Sequence, residues 1–121
     1  MVLILGALGA GKREYARSLG YADSEISPEA DSEAPVMTDL EETVRRDPDH
    51  AEELLEVLLK KELVLCCEVG SGVIPLEKSD RVFREAAGRL CVKLAKEAKS
   101  VVRLVAGIPM VIKGEAPCRR S

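Results

Sequence analysis

Three largely apolar runs divide the chain: Val2-Leu3-Ile4-Leu5, Leu63 to Cys67, and Val101 to Val105. Runs of this length without polar alternation mark strands buried on both faces, as in a parallel sheet. Between them the apolar spacing becomes helical. Lys12 to Leu19 places Tyr15 and Leu19 at i, i+4. Asp49 reads as the cap of a helix from about His50 to Lys61, with Leu54, Leu55, Leu58 and Leu59 on one stripe. Ser79 to about Lys99 is the longest helical pattern, with Val82, Phe83, Ala86, Ala87, Leu90, Leu94 and Ala98 on its buried face. Val36-Met37-Thr38 is a short candidate strand ending at Asp39, and Met110 to Lys113 a candidate edge strand after a turn at Gly107-Ile108-Pro109. Strands alternating with helices predict an α/β sheet whose ligands sit at the strand C-termini.

Two segments break the pattern. Gly20 to Pro35 is acidic and turn-rich, which predicts an exposed loop. From Gly114 the chain reads as a disordered tail over residues 114–121, with Arg119 and Arg120 as a solvated end. Residues 1–113 then form a single domain, the natural reading of a 121-residue chain.

Composition narrows the function. With a net charge of -3, the chain has no general attraction for nucleic acid or an anionic membrane. Tyr15, Tyr21 and Phe83 are the only aromatic residues, too few for base-stacking platforms. Cys66, Cys67, Cys91 and Cys118 contain no C-x-x-C pair and read as reduced structural thiols. No charged segment precedes the first apolar run, and no apolar stretch approaches a membrane span. A cytoplasmic protein without nucleic-acid or membrane partners is expected.

The chemistry concentrates after the first strand. Gly6-Ala7-Leu8-Gly9-Ala10-Gly11-Lys12 has the spacing of a phosphate loop: glycines let the backbone turn N–H groups toward phosphate oxygens, and the lysine reaches the outer phosphates. The next position, where a Ser or Thr hydroxyl would hold magnesium, is Arg13. Phosphate binding is retained, with Arg13 as a candidate direct contact, and the loop's metal ligand is missing. The alternative is a Gly-rich turn that binds nothing. A second Gly-rich loop, Glu68-Val69-Gly70-Ser71-Gly72-Val73-Ile74-Pro75, follows the strand ending at Cys67.

That second loop, with Asp80-Arg81-Val82-Phe83-Arg84-Glu85, Gly88-Arg89-Leu90, Ala106-Gly107-Ile108-Pro109-Met110 and Lys113, resembles the bifunctional adenosylcobinamide kinase/adenosylcobinamide-phosphate guanylyltransferase family. The likeness runs through the C-terminal half, and the Gly6 to Lys12 loop falls where the family has its own. It implies a three-layer P-loop NTPase-like (RecA-like) fold with a mostly parallel sheet. It also implies GTP or ATP and a corrinoid as ligands, magnesium, a homo-oligomer, and a role in assembling the nucleotide loop of cobalamin. By the same likeness Asp39 matches a strand-terminal aspartate that supports magnesium, and Glu68 matches directly.

Candidate roles follow. Lys12, Asp39 and Glu68 are the candidate catalytic residues, and Asp39 is the candidate metal ligand. Gly6, Ala7, Leu8, Gly9, Ala10, Gly11, Lys12 and Arg13 are the candidate nucleotide loop, and Gly70, Gly72, Arg81 and Arg84 the candidate substrate contacts. Each has a plainer reading: Asp39 as a cap before Leu40, Glu68 as a turn carboxylate, and the arginines as helix-surface partners of Asp80 or Glu85. The family's guanylylated histidine has no counterpart, since the only histidine, His50, sits at a predicted helix start. Cys67 and Cys91 stand where the family has Asn. The expected function is a nucleotide-binding protein of cobalamin biosynthesis that at most phosphorylates adenosylcobinamide. The alternative is a non-catalytic nucleotide- or corrinoid-binding regulatory or assembly subunit.

Overall fold

A computed structural model of the chain describes residues 1–7, 9–68 and 78–120. Strands β1 (Val2–Gly6), β2 (Ile26–Ser27), β3 (Val36–Met37), β4 (Leu63–Cys67), β5 (Ser100–Val105) and β6 (Ile108–Lys113) form one sheet in the order β2-β3-β4-β1-β5-β6. All pairings are parallel except β5 with β6. The first strand is central, pairing Leu3 with Val64 of β4 on one side and Val101 of β5 on the other.

Apolar runs without alternation are needed because both faces of the sheet are covered. Along β1, Leu3 enters one core, and Val2 and Ile4 enter the other. Helix α1 (Lys12–Ser18) covers one face, placing Ala16 against Ile4, Leu65 and Val102. Helices α2 (Leu40–Arg46), α3 (Leu55–Leu59) and α4 (Lys78–Glu97) cover the other, around Leu3, Val64 and the fully buried Leu90 and Leu94. The result is a three-layer α/β fold with a mostly parallel sheet, as expected.

Several local expectations change. The helix predicted from His50 to Lys61 is a 3-10 segment, Pro48–Leu54, followed by the short α3. Pro48 lies in its first turn, Asp47 rather than Asp49 holds the cap position, and His50 leaves helical geometry at φ −113. Proline there removes a backbone donor and fixes φ, which favours the tighter turn. Helix α2 has no forecast in the apolar pattern: it buries only Leu40 and Val44, one i, i+4 pair. The acidic loop of residues 20–35 carries β2, whose Ile26 is buried and pairs with Val36. Lys61, only 7% exposed, secures the end of that loop by donating to the carbonyls of Ser32 (2.5 Å) and Ala34 (2.8 Å).

The hairpin turn lies one residue earlier than expected. Ala106 and Gly107 both have positive φ, 49° and 79°, as a two-residue turn matching the strand twist requires. Beyond β6, described residues of the stretch 114–120 contact the body. Ser100 Oγ donates to Glu115 O (2.7 Å), and Arg120 N donates to Leu19 O (2.7 Å). The Arg120 guanidinium stacks over Tyr21 and donates to Glu25 (2.7 Å), so it is no solvated end.

Candidate nucleotide site

The sheet order creates the site. The segments after β1 and β4 leave neighbouring strand ends, and the helices that follow them, α1 and α4, pack on opposite faces of the sheet. Such a switch point at the C-terminal edge opens a crevice. Gly6 closes β1 where no side chain fits freely: a Cβ there would lie 3.1 Å from Ala10 Cβ and 3.3 Å from Leu104 O. Gly9 (φ 78) and Gly11 (φ 91) both use the left-handed region, which lets the loop turn back into α1. Hydrogen bonds from Ala10 N to Ala7 O and from Gly107 N to Ala10 O, each 3.0 Å, brace the loop against its own start and the β5–β6 turn.

Lys12 Nζ reaches back across this loop, donating to Gly6 O (3.2 Å), Ala7 O (3.1 Å) and Cys67 Sγ (3.4 Å). Its ammonium is thus held over the end of β1. A cleft of about 350 Å³ opens beside it, lined by Gly9, Gly11, Lys12, Arg13, Glu14, Arg17, Thr38 and Asp39. The end of β3 therefore forms one wall and the loop the other. Leu8, Gly70 and Gly72 lie outside the described residues. Arg81 is exposed and Arg84 half-buried near the start of α4, which leaves the β4 end.

Asp39 occupies the cap position of α2 at φ 54 but makes no side-chain capping bond. Its carboxylate instead meets Arg13, with Nη2 to Oδ2 at 3.5 Å and both side chains half exposed. That contact decides how well magnesium fits. The loop offers a guanidinium where a hydroxyl is expected, and this cation rests on the carboxylate read as the metal ligand. Magnesium needs near-octahedral oxygen ligands, so this donor set does not fit a resident ion.

Glu68 is likewise engaged. Arg103 grips it in fork fashion, Nε to Oε1 at 2.5 Å and Nη2 to Oε2 at 3.2 Å, and Glu68 N donates to Gly6 O at 3.1 Å. Arg103 was legible as the only charged residue in the Val101 to Val105 run, though its partner was not. Glu41 is the other residue that sequence reasoning missed. From the first turn of α2 it accepts a hydrogen bond from Cys67 N at 2.8 Å, and without a forecast for α2 nothing pointed to it.

Cys67 lies against the loop lysine but is a poor nucleophile. Burial pushes the Cys67 thiol above its ordinary pKa, and the Glu41 carboxylate adds to this against the opposing Lys12 ammonium. Cys66 and Cys91 are in contact at 3.7 Å between sulfurs, and none of the four cysteines forms a disulfide. His50 stands apart from the cleft. Its Nδ1 lies 2.9 Å from Asp47, a hydrogen bond that raises its pKa, and it lines a separate hollow with Val82, Ala86 and Arg89.

A parallel sheet with a glycine-lysine loop on its central strand, beside a cleft at the strand ends, defines a phosphate-loop α/β protein. The chain belongs to the cobinamide kinase / cobinamide phosphate guanyltransferase family, whose model matches residues 32–112. No curated protein matches the chain. The matched span contains β3, α2, β4, α4 and most of the β5–β6 hairpin, and begins after the phosphate loop. Family membership supports a place in cobalamin biosynthesis and the use of a nucleotide. Among the described residues, no helix is long and apolar enough to cross a membrane.

Proposed function

We propose that the protein binds the phosphates of GTP or ATP on the Gly6 to Arg13 loop, as a cytoplasmic, nucleotide-binding member of cobalamin biosynthesis. The observation that carries this reading is the placement of Lys12. Its ammonium lies across Gly6 and Ala7, beside two left-handed glycines and a cleft shared with Asp39. Backbone N–H groups and one lysine are the parts a triphosphate needs.

In the kinase form of this reading, the loop aligns the terminal phosphoryl group with a cobinamide hydroxyl. The bond from the terminal phosphorus to its bridging oxygen breaks, the hydroxyl oxygen takes its place, and the nucleoside diphosphate leaves. Glu68 accepts the hydroxyl proton, and Arg81 and Arg84, with Gly70 and Gly72, contact the corrinoid. Guanylyl transfer is lost or passes to another protein, because His50 is ion-paired outside the cleft.

A second reading, binding without turnover, has specific support. Both carboxylates assigned to the chemistry are held by arginines: Asp39 by Arg13 and Glu68 by Arg103. Both Glu68 oxygens already accept hydrogen bonds from Arg103, so the carboxylate must leave that fork before it can meet a substrate hydroxyl. Homo-oligomerisation accompanies either reading. The β5–β6 hairpin exposes Val105, Ile108, Met110, Val111 and Ile112 at 45 to 66%, an apolar edge suited to a second copy.

The test uses labelled GTP or ATP with adenosylcobinamide, following corrinoid phosphorylation, protein-bound label and nucleotide affinity. Lys12→Ala removes a charged hydrogen-bond donor, so about 10- to 150-fold weaker binding is expected. Phosphorylation that vanishes in Lys12→Ala selects the kinase, and binding without product selects the non-catalytic form. Wild-type affinity in Lys12→Ala would overturn the loop assignment.

A further inference from the structure

The Arg13–Asp39 contact changes what the site requires of its ligand. We infer that the Arg13 guanidinium supplies the positive charge that a divalent cation supplies in an ordinary phosphate loop, so that the nucleotide binds here free of magnesium. This rests on nucleotide binding at the loop, as proposed above.

Arg13 sits in the first turn of α1, directly after the loop lysine, and its side chain crosses the cleft to Asp39 on the opposite wall. At 3.5 Å, with both partners 50% exposed, the pair is loose. A guanidinium has five N–H donors, and this contact uses one. The remaining fork matches two phosphate oxygens, and exchange of Asp39 for a phosphate costs little because exposed pairs are weak. Asp39 thereby becomes a positioning residue: it keeps the guanidinium over the cleft until the ligand arrives.

The remaining charges favour a bare anion over a metal chelate. Among the described residues, Lys12, Arg13 and Arg17 are the cations lining the cleft, Arg17 with a shorter contact to Asp23 at 2.7 Å. A magnesium ion on the phosphates would stand beside the guanidinium, and like charges at that distance repel. Magnesium also neutralises part of the ligand charge that Lys12 and Arg13 recognise. Among the described residues lining the cleft, the side-chain oxygens left for it are those of Glu14, the buried Thr38 and the shared Asp39.

Calorimetric titration with non-hydrolysable ATP and GTP analogues, in EDTA and in millimolar magnesium, reads this directly. Wild-type protein should bind as tightly in EDTA as in magnesium, or more tightly. Arg13→Ser restores the loop hydroxyl, and its affinity in EDTA should fall by about 10-fold or more, with magnesium recovering part of the loss. Arg13→Lys keeps the charge without the fork and should fall between the two. Asp39→Asn keeps an oxygen acceptor for Arg13 but removes the negative charge that competes with the phosphate, so binding in EDTA should tighten, where a metal-ligand role predicts a loss confined to magnesium. Wild-type binding that requires magnesium, or Arg13→Ser binding at full strength in EDTA, overturns the inference and leaves the loop assignment standing. No wild-type binding in either buffer overturns the loop assignment itself.

Discussion

Breaking the Arg103–Glu68 fork tests whether Glu68 serves structure or chemistry. The pair makes two contacts, at 2.5 and 3.2 Å, with side-chain exposures of 47% for Arg103 and 21% for Glu68. An ordinary surface pair contributes about 0.2 to 1 kcal/mol, and fork geometry with one partner mostly shielded places this one near the top, at about 1 kcal/mol. The single variants should differ. Arg103→Met strands the more buried carboxylate and should cost about 1 to 1.5 kcal/mol, whereas Glu68→Gln leaves a half-exposed guanidinium that water resolvates, at about half that. At about 2.1 cal/mol/K per residue the 121-residue chain unfolds with an entropy near 250 cal/mol/K, so 1 kcal/mol corresponds to about 4 °C in Tm. Thermal and urea melts of the wild type, both singles and the double variant give the coupling energy, which should shrink in high salt. Strict additivity, or a larger loss from Glu68→Gln than from Arg103→Met, would refute the ion-pair account. A Glu68→Gln protein with full stability and no turnover would assign the carboxylate to catalysis instead.

Two further predictions concern the body of the fold. Leu90→Ala empties a fully buried position between α4 and the sheet and should cost about 2 to 5 kcal/mol, whereas Val92→Ala, at 56% exposed, should stay within about 0.5 kcal/mol; urea melts with equal slopes check both. Tyr21 has its pKa pushed up from 10.0 to about 12, first by burial and then by its hydrogen bond to Glu62. A folded-state pKa above the unfolded value means a contribution complete below pH 10 and lost as pH rises through about 12, so Tyr21→Phe should flatten the alkaline decline of stability over that window. An unchanged slope in pH-dependent melts would exclude Tyr21 as its source.

Local pattern carried far in this chain. Val2 to Leu5, Leu63 to Cys67 and Val101 to Val105, the last broken only by Arg103, are strands because such largely apolar runs fit a sheet covered on both faces. The α4 stripe, from Phe83 to Ala98, is core because its spacing leaves it one face to bury. The pattern is weak where apolar content is low. Helix α2 buries two residues, and β2 is two residues long inside an acidic stretch, so the deciding contacts come from Val36 and the α4 side of the core. Neither sends a periodic signal. Pro48 shows the converse, one residue overriding a leucine stripe by changing the backbone it starts from.

For the site, the sequence determined the loop: two glycines and Lys12 at fixed spacing after a strand, with Arg13 in the hydroxyl position, are local facts. Only the tertiary structure decided what the charges do. Asp39 and Arg13 are 26 positions apart, and Glu68 and Arg103 35 apart, and they meet because the sheet order sets β3, β1, β4 and β5 side by side at one edge. Charge pairing acts over a few ångströms in space and is blind to distance along the chain. Residue types therefore mark a candidate phosphate site from sequence alone, while the partners that restrain its carboxylates exist only once the strands are placed.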